Sequence, residues 1–149
     1  ADFTPPEALT PELRSHLKLS DELVDEFLAA DRCLFSVPMY NFSVPSNFKA
    51  YIDQIVRVGR TFTFENGQGK GLVSGKKVVF ITSRGVEYSS GSPYEGWDAQ
   101  EPALHNIFQF MGVTDIQFIH ANGLDMGDDA QKQGLDEAQS KIQKLVIDW

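Results

Sequence analysis

Val78-Val79-Phe80-Ile81-Thr82, opened by Lys77, is the stretch that decides the fold. A short, continuous apolar run of this kind suits a strand covered on both faces. A polar loop follows over residues 83–97, and Asp98 with Glu101 then has the spacing of a helix capping box. Leu104, Ile107, Phe108 and Met111 continue that helix to Gly112, and Asp115-Ile116-Gln117-Phe118-Ile119-His120 makes the next strand. A last helix carries Leu135, Ala138, Ile142 and Leu145. Strands alternating with helices in this way imply right-handed crossovers and a parallel sheet with helices on both faces.

Toward the N-terminus the pattern repeats. Cys33-Leu34-Phe35-Ser36-Val37 is a second short apolar run, expected as a strand buried on both faces and stopped by Pro38. From Ser46, the positions Phe48, Tyr51, Ile52, Ile55 and Val56 give an amphipathic helix expected to end at Gly59. Thr61-Phe62-Thr63-Phe64 alternates like a strand, and Asn66-Gly67 is a turn signal. Residues 68–77, rich in Gly and Lys, are expected to be an exposed excursion. Residues 20–28 read as a helix capped by Ser20. Ahead of it, Thr4-Pro5-Pro6 and Thr10-Pro11 are expected to prevent a regular start to the fold. The class is therefore α/β, a doubly wound parallel sheet, with residues 1–149 in one domain. Three parallel strands leave at least one apolar edge exposed. The pattern thus implies that an N-terminal strand–helix–strand unit of at least ~30 residues is missing.

Composition narrows the function. In 149 residues, 13 basic side chains against 21 acidic ones give a net charge of −8. That balance argues against nucleic acid or an anionic membrane as partner, because phosphate surfaces call for basic ones. A hydrophobic share of 42% with 23% charged residues is that of a folded globular chain. The apolar runs are far shorter than the ~18 residues of a membrane span. No secretory leader pattern is visible, so the expected location is cytoplasmic. Cys33, the single cysteine, excludes an internal disulfide framework and is expected to be an inert buried thiol. His16, His105 and His120 are scattered without ligand spacing, so no metal is assigned. Gly69-Lys70-Gly71 precedes a strand and lacks phosphate-loop spacing. The acidic residues 125–129 lack an EF-hand pattern and are expected to be a solvated loop and helix cap.

In open parallel sheets, ligands bind at the carboxyl ends of strands. Two loops leave such ends with unusual residues. Pro38-Met39-Tyr40-Asn41-Phe42 sets two aromatic rings and a polarisable thioether around a short amide, a set that suits a flat heteroaromatic ligand. Thr82-Ser83-Arg84-Gly85 pairs a glycine that admits close backbone approach with a fixed positive charge. Plainer readings stand beside these: a strand stop whose aromatics pack on the core, a surface ion pair for Arg84, and core packing for Phe64 and Phe110.

Pro38-Met39-Tyr40-Asn41-Phe42, Thr82-Ser83-Arg84-Gly85 and Phe110-Met111-Gly112-Val113-Thr114-Asp115 together resemble the FMN-dependent NADH azoreductases and NAD(P)H quinone oxidoreductases. The resemblance runs from about Leu17 to the C-terminus and implies a flavodoxin-like sheet. It implies FMN as cofactor, with Pro38, Met39, Tyr40, Asn41 and Phe42 along the flavin ring and ribityl chain. Ser83, Arg84, Gly85 and Val86 would lie at the pyrimidine edge. Phe64 would stand on the substrate side, and Phe110 would reach the partner's site in a homodimer. The implied activity is reduction of quinones and azo compounds by NAD(P)H in two flavin half-reactions, with no side-chain acid required and the cofactor carrying the chemistry. Small aromatic electron acceptors are the implied partners. Two departures stand out. Val86 occupies a position where members carry a second glycine, and the family's first strand and serine-rich phosphate loop would precede Ala1. These departures support an alternative, a non-catalytic flavodoxin-like interaction module that no longer binds flavin.

Overall fold

The expected alternation is realised in a computed structural model that describes residues 8–149. The order is α1 (Pro11–Ala29), β1 (Arg32–Ser36), α2 (Ser46–Ile55), β2 (Phe62–Glu65), β3 (Gln68–Gly71), β4 (Lys77–Ser83), α3 (Gln100–Met111), β5 (Asp115–Ala121) and α4 (Asp128–Asp148). Thr4-Pro5-Pro6 lies outside the described residues. No helix among the described residues is long and apolar enough to cross a membrane. The elements fall into two compact units.

One unit comprises Leu34–Pro45, Val78–His105 and Ile116–Trp149 and holds the sheet, in the order β1-β4-β5. Val37 N donates to Ile81 O and Met39 N to Ser83 O, each at 2.9 Å. Both residue numbers rise together, so β1 and β4 run parallel and their pairing continues past the end of β1. The side-chain period of two then sorts the faces. Val79, Ile119 and Ala121 pack with Ala138 of α4, joined by Ile81, Leu124, Ile142, Leu145 and Trp149. On the other face, Phe35, Phe80 and Phe118 stack across the three strands with centroids 5.4 and 5.0 Å apart. Phe80 is fully buried, which stabilises the sheet by about 1.5–3 kcal/mol relative to exposure. β1 corrects one expectation: Leu34 is 61% exposed, and the strand alternates exposed with half-buried positions, so it is covered on one face only. Among the described residues β1 and β5 are the outer strands, so the sheet has the edges expected of it. Leu135, read as core, lies half in solvent, while Ala138 takes the buried place.

The other unit comprises residues 8–33 with Ser46–Lys77 and Asn106–Asp115. Here α1 starts earlier than expected. Thr10 caps it, its hydroxyl accepting from Leu13 N at 3.2 Å, and Pro11 fills the first turn, where a missing N–H costs nothing. Ser20 is therefore no cap. It is buried in the middle of α1, where its hydroxyl donates to Gln54 O at 2.7 Å and accepts from the Arg57 guanidinium. α2 ends at Ile55, before Gly59. Residues 68–77 are exposed at most positions, as expected, but part of the segment is a strand. Phe62 pairs with Gly71 and Phe64 with Gly69 in an antiparallel hairpin, turned by Asn66 (φ 52°) and Gly67 (φ 78°). Val73 is buried, and so is Lys76, whose ammonium donates to Ala30 O and lies 4.9 Å from the centroid of the Phe27 ring. The glycines of β3 serve packing: a Cβ at Gly69 would strike the Phe110 ring, and one at Gly71 the backbone of Met111 and Gly112.

Candidate functional site

Residues 38–42 and 83–86 leave the carboxyl ends of β1 and β4, and the Met39 N to Ser83 O bond sets them side by side. The first loop reverses within a few atoms. Tyr40 N donates to Ser43 O at 2.9 Å and Ser43 N to Tyr40 O at 3.0 Å. Such a reversal puts both central residues at positive φ, and these are Asn41 (48°) and Phe42 (68°). Asparagine tolerates that region, but phenylalanine is strained there by about 1 kcal/mol or more. Strain kept at a strand end is a mark of a functional loop. The turn aims Tyr40, Asn41 and Phe42 outward, all three exposed, while Pro38 and Met39 are half-buried. The reading of the aromatics as core packing is thus corrected. Phe42 meets Trp97 edge to face with centroids 5.3 Å apart, and its carbonyl accepts from Ala99 N at 2.9 Å.

The second loop is wired inward. Arg84 is only 3% exposed, and its Nη1 pairs with Asp98 Oδ2 at 2.9 Å. The surface ion pair considered for Arg84 is therefore a buried one. Burial pushes the guanidinium below its ordinary pKa, and Asp98 opposes that shift. Arg84 Nε and Nη2 are buried with no hydrogen-bond partner among the described residues. Two orphaned donors on a buried cation ask for an acceptor. The backbone around them is already engaged: Arg84 N donates to Ala121 O, Leu124 N to Arg84 O, and Asp125 N to Gly85 O. At Gly85 a Cβ would lie 2.5 Å from Asp125 Oδ2, so the glycine makes room for that carboxylate. Val86 O accepts from Gly123 N at 3.4 Å.

Asp98 links this loop to α3. Its Oδ1 accepts from Gln100 N at 2.8 Å and Glu101 N at 3.1 Å, so one carboxylate caps the helix and neutralises Arg84. Only half of the expected capping box forms. Glu101 turns instead to His120, Oε2 to Nε2 at 2.6 Å, and Thr82 Oγ1 lies 2.7 Å from His120 Nδ1. Burial first, then the Arg84 charge, holds His120 below the ordinary histidine pKa. In the neutral imidazole the carboxylate can only accept, so Nε2 carries the proton and Nδ1 accepts from Thr82. Gln100, fully buried, donates from Nε2 to Pro38 O at 3.0 Å and holds the first loop from below. Asp98 caps α3 as the sequence suggested, but sequence reasoning missed its pairing with Arg84 and the roles of Gln100 and His120, because these act through partners distant in sequence.

Phe64 and Phe110 belong to the other unit and meet there through Phe62, whose ring centroid is 5.6 Å from Phe64 and 4.7 Å from Phe110. They are 55% and 41% exposed, which corrects the core reading for both. Cys33 is half-buried, and burial raises its thiol pKa, as befits an unreactive group.

A parallel sheet of this order, with an aromatic turn and a charged loop at neighbouring strand ends, fits an open, doubly wound fold whose ligand site lies at the carboxyl ends of its strands. The chain belongs to the flavodoxin-like fold family, whose pattern matches residues 1–146. It is 56% identical over 150 residues to FMN-dependent NADH:quinone oxidoreductase 2 of Trichormus variabilis, covering 100% of this chain and 72% of that relative. It is 57% identical over 149 residues to FMN-dependent NADH:quinone oxidoreductase of Nostoc punctiforme, with the same coverage. Among solved structures, it resembles an FMN-dependent NADH-azoreductase from Bacillus anthracis in complex with FMN. The TM-score is 0.78 and the identity 26%, over 92% of this chain and 66% of that one.

Proposed function

We propose that this protein is an FMN-dependent NAD(P)H oxidoreductase that reduces quinones and azo compounds. The observation that carries the reading is Arg84: a buried guanidinium 5.7 Å from the centroid of the Tyr88 ring, with two donors that lack a partner, in the loop that the Met39–Ser83 bond sets beside an outward-facing aromatic turn. The isoalloxazine ring of FMN fits that pair, because it joins a flat π-surface to a pyrimidine edge rich in acceptors. Identity above half with two relatives named FMN-dependent NADH:quinone oxidoreductase supports the reduction of quinones by NADH. The alternative interaction module has less support, since it gives no purpose to the two unpaired donors that Arg84 buries beside the turn.

In this reading Pro38, Met39, Tyr40, Asn41 and Phe42 line the ring and its ribityl chain, and Ser83, Arg84, Gly85 and Val86 line the pyrimidine edge. When bound, FMN supplies reversible two-electron chemistry, so reduction by a nicotinamide and reoxidation by an acceptor can follow as two half-reactions. The chain orients the ring and tunes its charge. Arg84 favours negative charge at the edge it faces, and the low-dielectric surroundings strengthen that preference. Asp98 keeps the guanidinium in place, and Gln100 fixes the backbone of the stacking loop. Phe64 and Phe110 offer exposed rings for the acceptor, in a homodimer where Phe110 serves the partner's site. The cytoplasm, where reduced nicotinamides are plentiful, is the proposed location. Titration of the purified chain with FMN, followed by NADH oxidation with 1,4-benzoquinone, tests the proposal. Saturable quenching of flavin fluorescence and quinone-dependent turnover are expected; no saturable FMN binding overturns it.

A further inference from the structure

Trp97 is the largest side chain the sequence offers, and it stands 56% exposed beside the candidate site. Its place is built, not incidental. Trp97 N donates to Tyr94 O at 3.1 Å. The next residue, Asp98, is locked to Arg84 of the second loop, and the one after it, Ala99, donates to Phe42 O of the first. Consecutive residues therefore clamp both strand-end loops, and Trp97 opens that clamp. One side of its ring is backed by Tyr94, centroids 6.1 Å apart at 87°, and another by the edge-on contact with Phe42. An exposed indole held by two ring contacts beside both strand-end loops offers a flat apolar surface that suits an aromatic ligand.

We propose that Trp97, backed by Tyr94, is a specificity-determining residue for the oxidised acceptor. It forms an aromatic ledge beyond Phe42 that stacks on the outer rings of planar, multi-ring acceptors and is not reached by single-ring ones. This rests on the proposed function, and the ledge itself consists of this chain's own residues. Aromatic pairs contribute beyond their buried area when rings stack offset or edge to face, so the effect is a modest, size-graded gain in affinity.

The test compares Trp97→Ala and Trp97→Phe with the parent chain, using 1,4-benzoquinone and anthraquinone-2-sulfonate as acceptors. FMN affinity, read by flavin fluorescence, first shows whether the flavin site is intact. The expected result is that Trp97→Ala lowers the ratio of kcat/KM for the three-ring over the one-ring acceptor by about fivefold, mostly through KM, and that Trp97→Phe restores most of it. A second readout needs no turnover. In a Trp149→Phe background with FMN bound and no NADH present, anthraquinone-2-sulfonate is expected to quench the remaining Trp97 fluorescence saturably. An unchanged ratio with FMN still bound, or the absence of quenching, overturns the ledge and leaves the proposed function standing. Loss of FMN binding by the parent chain itself overturns the proposed function.

Discussion

Residues 38–42 and residues 83–86 leave neighbouring parallel strands, yet the first loop presents its side chains to solvent and the second buries its charge. The first is held by its backbone: a two-bond reversal, a carbonyl fixed by Gln100 and another by Ala99. The second is held by a side chain, since Arg84 reaches inward to Asp98. The contrast separates two tasks. An exposed, strained turn offers ring faces and adapts to what stacks on it, whereas a buried cation supplies charge that must not move. Substitutions in the two loops should therefore differ in kind as well as in size.

The largest effect is expected at the clamp. Asp98→Ala removes the partner of a buried guanidinium and the cap of α3 together, leaving an uncompensated charge. A loss of about 3 kcal/mol of unfolding free energy is expected, because breaking one half of a buried pair costs more than the pair contributes. Urea denaturation measures it. A loss below about 1 kcal/mol would mean that Arg84 finds water, and the contrast between a hidden and a displayed loop would fail.

That clamp also marks where the sequence was hard to read. The order of helices and strands was legible because apolar periodicity is local, and both loops were visible as odd residues at strand ends. What escaped depended on distant partners. Ser20 looked like a cap, since nothing nearby announces that Gln54 and Arg57 will take its hydroxyl. Lys76 looked solvated because its buried carbonyl partner, Ala30, lies on another element. Thr10-Pro11 was misread for a different reason: proline breaks a helix interior but suits a first turn, and position alone decides between them. Asp98 was seen as a cap and not as the counter-ion of Arg84, although one carboxylate does both. Trp97 passed as loop, and its only signal was the oddity of an indole among polar residues.

A smaller effect sharpens the view of the first loop. Asn41 sits at φ 48°, where asparagine and glycine are at ease and alanine is not. Asn41→Ala should cost about 1 kcal/mol, while Asn41→Gly should leave the unfolding midpoint nearly unmoved. If the exposed amide also serves the ring, both variants weaken FMN binding alike, and affinity separates from stability. Equal destabilisation by the two would show instead that the side chain, not the backbone angle, holds the turn.

The smallest effect is one of pH, and it falls on the buried side of the comparison. His120 is held below its ordinary pKa by burial and by Arg84, against the pull of Glu101 and Asp98, and Thr82 faces its other nitrogen. A depressed folded-state pKa means that the unfolded chain binds more protons than the native one just below the unfolded value. Stability from the neutral imidazole is then full above about pH 6.5 and falls as the pH drops below it, until the folded His120 also takes up a proton. The parent chain and His120→Gln differ at that imidazole alone, so their difference should fall mainly in this window. The expected outcome is a stability loss as the pH falls below about 6.5 in the parent that is flattened in the variant, measured by urea unfolding at successive pH values. A slope of the opposite sign would mean that Glu101 outweighs Arg84 at the imidazole. The charge of the second loop would then reach less far into the fold than its burial implies.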